Sequence, residues 1–267
     1  MHVIINTFAL SLFLSSLLTL IASAIAWKRS VPGSFALSLL LLAMTLWSST
    51  YALYFLPISQ IIKIHLPYVT YISVVTVPSL FLVFTLAFTN QEHWLTSRAI
   101  GLLLAEPLLT LFLVWTNQYH DLVFQSSAQT GIPLIELPHG PWYVINMVYS
   151  YGIILVGLAI LVFGMARSSP LVKNQYLTVL FASLFPWVTS IIIEYFGQTS
   201  QYDFTSVMFG LSGIIFTYAV LSNRFIDIIP VARSRLIESM SDGILVLDPQ
   251  NRIVDINPAM EKLLEHK

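Results

Sequence analysis

Seven apolar runs, each long enough to cross a lipid bilayer, constrain this chain more than any other feature of its sequence. They lie near residues 3–26, 32–56, 67–89, 99–117, 143–166, 176–196 and 204–222. A spanning helix needs about 20 apolar residues, and in lipid each backbone amide must be paired inside its own segment. Composition agrees, since 57% of the residues are hydrophobic and 9% charged, whereas soluble domains carry roughly 25% charged residues. The expected fold is an all-α membrane protein, a seven-transmembrane helix bundle over 1–222. A cytoplasmic linker over 223–240 and an incomplete α+β piece over 241–267 follow it. No cysteine occurs, which excludes disulfides, thiolate metal sites and cysteine nucleophiles.

Charge placement sets the expected orientation. Lys28 and Arg29 follow the first run, and no basic stretch precedes it. That run also exceeds the apolar core of a signal peptide, so it reads as an uncleaved span with Met1 outside. Loops then assigned to the inside hold Lys28, Arg29, Arg98, Arg167, Lys173 and Arg224, and those outside hold only Lys63. Asp121, Glu136 and Asp203 fall outside, although acids contribute little to this rule. Trp27, Trp94, Trp115 and Trp142 sit at the proposed interfaces, where amphipathic rings concentrate.

Residues 118–142 form one outside connection far longer than the usual 4–6 residues. It holds His120, Asp121, Phe124, Glu136 and the sequence His139-Gly140-Pro141-Trp142. Its apolar stretch Ile132–Leu137 and its aromatics favour a structured lid of hairpin type over a flexible tether.

After Leu221 the composition changes. Residues 222–240 mix charged and apolar positions around Pro230, which should break a helix leaving the membrane. Leu236 and Met240 share a helical face that could pack a neighbour or a dimer mate. Gly243 to Asp248 then reads as a buried strand, Pro249-Gln250-Asn251 as a turn, and Arg252 to Ile256 as a second strand. Asn257-Pro258 opens a helix with Ala259, Met260, Leu263 and Leu264 at helical spacing. A hairpin and one helix cannot bury a core, so the chain is expected to be a truncated piece that ends inside a domain.

The run from Glu238 to Asp248, with Asn251 to Val254 and Asn257-Pro258-Ala259, resembles the opening of a PAS sensory domain. The preceding part resembles the seven-helix sensor region of bacterial and archaeal histidine kinases. That resemblance rests on Trp47 and Tyr51, Trp115-Thr116-Asn117 with His120, Gly140-Pro141-Trp142, Tyr149-Ser150-Tyr151, and Asp227 with Pro230-Val231-Ala232-Arg233. It implies a multi-pass protein of a prokaryotic plasma membrane, acting as the sensor module of a two-component system. It also implies a homodimer, with a kinase core or a diguanylate cyclase as the output domain of a parent protein. This chain contains no catalytic domain, so no enzyme activity is expected of it. Arg224, Asp227, Pro230 and Arg233 are the expected signal-transmission residues.

Ionisable groups within a bilayer are functional candidates, because each costs about 2.5–3.5 kcal/mol to insert. Glu106, followed by Pro107, lies deep in the fourth run. Glu194 lies near the outer end of the sixth, on a helical face with Trp187 and Ser190 or Ile191. Each reads either as part of a ligand or proton site or as a plain structural acid. Polar and aromatic stripes gather in the outer half: Trp47, Tyr51 and Tyr54; Tyr68 and Tyr71; Trp142, Asn146 and Tyr149; and Trp115, Asn117 and His120. A single stripe serves as helix-packing glue or an interface belt, whereas convergence of several favours a cavity. The candidate ligand site therefore comprises Tyr51, Glu106, Trp115, Asn117, His120, Trp142, Asn146, Tyr149, Trp187 and Glu194, roofed by 118–142. His65, His120 and His139 lack ligand spacing for a metal site, and no metal or cofactor is expected.

A receptor in which a signal shifts helix packing is the leading reading, with the lipid bilayer and a small-molecule or lipid ligand as partners and no nucleic acid. A retinal photoreceptor would need a lysine inside the bundle, and none of the seven runs contains one. A small-molecule transporter built from repeats should show internal symmetry, which runs 1–3 and 5–7 lack. An intramembrane enzyme would need HExxH, Gly-x-Ser-x-Gly or paired carboxylates, and none is present.

Overall fold

A computed structural model describes residues 2–29, 31–125, 137–168, 170–196, 204–222, 239–247 and 253–265. Seven helices fill the first part: α1 (His2–Trp27), α2 (Ser34–Tyr54), α3 (Gln60–Phe88), α4 (Ser97–Trp115), α5 (Pro141–Arg167), α6 (Pro170–Phe196) and α7 (Thr205–Ser222). Six of them are long and apolar enough to cross a membrane, and α7 is a shorter apolar helix. At 18 residues, α7 is about 27 Å long, close to the thickness of a bilayer's hydrocarbon core.

Two helices begin earlier than their apolar runs. α3 starts at Gln60 instead of 67, and α6 at Pro170 instead of 176. Apolarity reports depth in lipid, while helix ends are set by caps and by polar residues that still favour helix. Ser59 caps α3 by accepting from the Ile62 amide, which carries the helix through Lys63 and His65. Pro67 thus lies inside α3 rather than at its start.

The helices form a ring in the order α1, α2, α3, α5, α6, α7, closed by packing of α7 on α1, while α4 packs outside against α3 and α5. Lipid is as apolar as leucine, so burial alone does not drive helices together there; close approach and hydroxyl bonds must do it. The α1–α2–α7 contact is built that way. Ser15 Oγ donates to the Ser206 carbonyl at 2.7 Å and Ser48 Oγ to the same oxygen at 3.0 Å. Thr19 and Thr45 share a hydroxyl bond of 2.8 Å. Ser23 and Ser38 each donate to the other's carbonyl, at 2.9 and 3.0 Å. On the outside of the ring, Leu102, Leu108, Phe112 and Trp115 of α4 are 77%, 63%, 64% and 62% exposed. A face of that kind belongs in hydrocarbon.

The chain divides into two compact units, Met1–Ser222 and Asn223–Lys267. In the second, β1 (Leu245–Leu247) pairs antiparallel with β2 (Ile253–Ile256), Leu245 opposite Ile256 and Val246 opposite Asp255. An irregularity between Val246 and Leu247 resets the register. α8 (Pro258–Glu265) follows. Asn257 Oδ1 accepts from the amides of Ile244 at 2.8 Å and Met260 at 3.0 Å, so one side chain caps the helix and ties it to the strand. The strand, strand and helix expected from sequence are present, with strands shorter than the apolar runs implied. The turn Pro249-Gln250-Asn251 lies outside the described residues, as do Asp248 and Arg252.

Gly210 allows α7 to touch α1, because a Cβ there would sit 2.8 Å from Ser15 Cα. Gly210→Leu is expected to destabilise the bundle by about 1–3 kcal/mol through overpacking. A lowered unfolding temperature of the purified protein would register it, and an unchanged one would contradict the close contact.

Candidate ligand-binding cavity

α2, α3, α5, α6 and α7 enclose a cavity of about 850 Å³. α2 contributes Trp47, Thr50, Tyr51 and Tyr54; α5 contributes Tyr143, Asn146, Met147, Ser150, Tyr151 and Ile154; α6 contributes Ser183, Pro186, Trp187 and Ser190. Side chains three and four apart share a helical face, so each wall is one continuous stripe. Tyr51 is buried against Phe8 and Phe55 in edge-to-face contacts, with ring centroids 6.1 and 5.2 Å away. Trp47 packs the same way on Phe209 of α7. Tyr151 and Ser190 hydroxyls meet at 2.9 Å and join α5 to α6 along the wall.

One end of the cavity is lined by Phe124, Leu137, Pro138 and His139, from the long connection between α4 and α5. Phe124 and His139 form an antiparallel bridge. Gln125 N donates to Pro138 O at 2.8 Å, and Gly140 N to Val123 O at 2.7 Å. The described ends of this segment are thus paired as a hairpin, and residues 126–136, including Glu136, lie outside the described residues. Gly140 is required at its base, since a Cβ there would collide with the Leu122 carbonyl. His139 stacks on Tyr143, ring centroids 3.5 Å apart.

Asn117 and His120 organise the start of this hairpin and do not line the cavity. Asn117 is 1% exposed; its Oδ1 accepts from Val123 N at 2.8 Å and Phe124 N at 3.2 Å, and its Nδ2 donates to Phe124 O at 2.7 Å. A buried amide bonded at both ends holds the loop as a backbone strand would. Leu122 N donates to His120 Nδ1 at 3.1 Å, which leaves the proton on Nε2, 3.1 Å from Thr116 Oγ1. Both ring nitrogens of His120 are engaged within the turn.

Glu106, Trp142 and Tyr149 lie between α4 and α5. Pro107 has no N–H, so the Leu103 carbonyl loses its helical partner. Tyr149 Oη donates to that carbonyl at 2.7 Å, and Ser79 Oγ of α3 approaches it at 3.5 Å. Glu106 Oε1 accepts from Thr110 Oγ1 at 2.6 Å and from Asn146 Nδ2 at 2.9 Å. Trp142 Nε1 donates to Thr110 Oγ1 at 2.8 Å. Glu106 Oε2 is buried without a partner among the described residues. Asn146 alone belongs to both this ladder and the cavity.

Of the ten residues proposed from sequence, the structure brings Tyr51, Asn146 and Trp187 together on the cavity wall. Glu106, Trp142 and Tyr149 are joined in the α4–α5 ladder, and Asn117 and His120 in the turn. Trp115 points outward on the exposed face of α4. The Glu194 side chain lies outside the described residues, as do Arg224, Asp227, Pro230 and Arg233. Sequence reasoning passed over Thr70, Tyr143, Ser150 and Ser183 as lining residues. The signal for α5 was available: positions 143, 147, 150 and 154 share a face one step, about 100°, from the stripe 142, 146, 149.

The family described as the N-terminal 7TM region of histidine kinase matches residues 11–230. The chain belongs to that family. A PAS domain matches residues 234–267. A comparison with curated proteins finds no match. The 7TM match takes in all of the cavity's walls and ends at Pro230, and Arg233 falls between the two matches. A histidine-kinase 7TM region followed by a PAS domain fits a sensor module.

Asn117→Ala should remove three bonds and leave two loop amides without their acceptor, at a cost of about 2–3 kcal/mol. Hydrogen exchange at Val123 and Phe124 is expected to accelerate strongly while exchange in α2 stays slow. Unaltered exchange at those two amides would show that Asn117 is not what holds the hairpin.

Proposed function

We propose that this chain is the sensing half of a membrane receptor in two-component signalling, with its ligand held in the cavity among α2, α3, α5, α6 and α7. The cavity carries the reading. It is within the range of roughly 300–1,000 Å³ typical of small-molecule sites, it is mostly apolar and rich in aromatic rings, with several hydroxyls and one carboxamide, and a hairpin closes one end of it. The hairpin end faces outward and residues 223–267 face the cytoplasm, as the distribution of lysine and arginine supports. The parent protein is a sensor histidine kinase, and two copies act together through the cytoplasmic segment.

Transmission runs from α6 to α7. Pro186 lines the cavity and frees the Ala182 carbonyl one turn back. Ser212 Oγ of α7 donates to that carbonyl at 2.7 Å. A ligand that pushes Trp187 and Pro186 therefore acts where α6 bends most easily and where α7 is bonded to the bend. The ligand must favour one of two packings to signal at all. α7 then delivers the shift to Arg224, Asp227, Pro230 and Arg233 and on to the PAS domain.

Orientation can be read directly, because the chain has no cysteine. In intact cells a membrane-impermeant maleimide is expected to label Gln125→Cys, and to label Arg98→Cys only after permeabilisation. The reverse pattern would invert the topology.

Filling the cavity tests the sensor reading. The chain is fused beyond residue 267 to a PAS-linked kinase core and carries Ser150→Trp. Autophosphorylation in response to the organism's growth medium extract is expected to fall at least tenfold, with the unfolding temperature retained. A full response with the cavity filled would refute the assignment.

A further inference from the structure

We infer that the cavity takes an uncharged, largely apolar molecule bearing an amide group, a step that rests on the sensor reading above. Charge comes first. None of the described lining residues is Asp, Glu, Lys or Arg, and His139 is the single imidazole. A charged ligand would leave water for a site with no counter-charge, which is strongly unfavourable. The walls are instead flat aromatic surface from Trp47, Tyr71, Tyr143, Trp187 and Phe209, which recognises area rather than charge.

The polar groups left open say what else the molecule carries. Asn146 uses its Nδ2 on Glu106, and no hydrogen bond engages its Oδ1 among the described residues. That oxygen is an acceptor waiting for an N–H. One turn along the same face, Ser150 Oγ also makes no hydrogen bond among the described residues. On α6, the Trp187 ring forms wall while its Nε1 is buried with no partner among the described residues. An unpartnered buried donor is costly, so the ring gains if it turns to meet an acceptor. An amide supplies both halves, its N–H to Asn146 Oδ1 and its carbonyl to the indole N–H. Because the N–H is occluded until the ring turns, the bound molecule selects an orientation of Trp187 different from that in the empty cavity. That is the differential affinity a receptor needs.

The test uses the full chain in lipid nanodiscs and four probes of similar length. N-decanoylglycine methyl ester is the uncharged amide. N-decanoylglycine adds a carboxylate, decyltrimethylammonium a cation, and methyl dodecanoate is uncharged without an N–H. Saturable change in tryptophan fluorescence reads binding. The amide ester is expected to bind at least tenfold tighter than the other three. Trp187→Phe keeps an aromatic ring on the wall but removes the donor. It should weaken amide binding roughly tenfold, about 1.4 kcal/mol, without lowering the unfolding temperature of the empty protein. Equal or tighter binding of the carboxylate, the cation or the ester overturns the inference. So does a lack of saturable binding by the amide, or an unchanged affinity in Trp187→Phe. The sensor reading survives these failures if another probe binds the chain and is excluded by Ser150→Trp. It falls only if the kinase fusion ignores the filled cavity.

Discussion

A carbonyl that loses its amide inside a bilayer has no water to turn to, and much of this structure follows from where that happens. Prolines at 107 and 186 each strip one carbonyl of its helical partner, and each orphan is adopted by a different helix. Leu103 O is taken by Tyr149 of α5, with Ser79 of α3 alongside. Ala182 O is taken by Ser212 of α7. The defects therefore act as joints. They fix α4 to α5 and α6 to α7 with bonds that are worth more in lipid than the apolar contacts around them, because lipid offers the side chains equally good apolar contacts.

The same economy explains the walls. Around α1, α2 and α7 the chain uses serine, threonine and glycine, so the backbones come close and little space is left. Where α2, α3, α5 and α6 face the cavity it places tryptophan and tyrosine among aliphatic residues. The cavity lies on the aromatic side. Its hairpin end is closed by a segment whose hydrogen bonds run across a loop rather than along a helix. Asn117 supplies what that loop lacks, since amides buried outside regular secondary structure need a side-chain acceptor.

How much of this was legible depended on which physical signal each feature left in the sequence. Helix number and type were plain, because apolar length is a direct record of the solvent. Helix starts were not, because Ser59 and the polar turn after it leave no apolar trace in α3. The α2 stripe of Trp47, Tyr51 and Tyr54 pointed inward as its spacing suggested. The α5 stripe was one position off: Trp142 and Tyr149 face α4, while Tyr143 and Ser150 face the cavity, since periodicity fixes a stripe but not which neighbour it meets. Glu106 was conspicuous as an intramembrane acid, yet nothing in the sequence tells that Thr110 and Asn146 are its partners. Asn117 looked like a lining group because burial by a loop folding back is invisible to a helical reading.

Asn146 is where these threads meet, and its position gives α4 a part in the site that α4 itself does not line. One end of its carboxamide is fixed to Glu106, which is fixed to Thr110 and through it to Trp142 at the foot of the hairpin. The other end looks into the cavity. A group that occupies the cavity oxygen of Asn146 acts on a side chain whose rotation would break the Glu106 bond, because a planar amide cannot turn one end without the other. The carboxylate's second oxygen, buried and unpartnered, makes that arrangement sensitive to small displacements. Under the proposed sensor reading, an occupant of the cavity would act along two routes: through Trp187 and Pro186 to α7, and through Asn146 and Glu106 to α4 and the hairpin. In that reading the first route would carry a signal toward residue 222, while the second would tighten or loosen the cover, so together they would tie retention of the occupant to the helix packing that reports it.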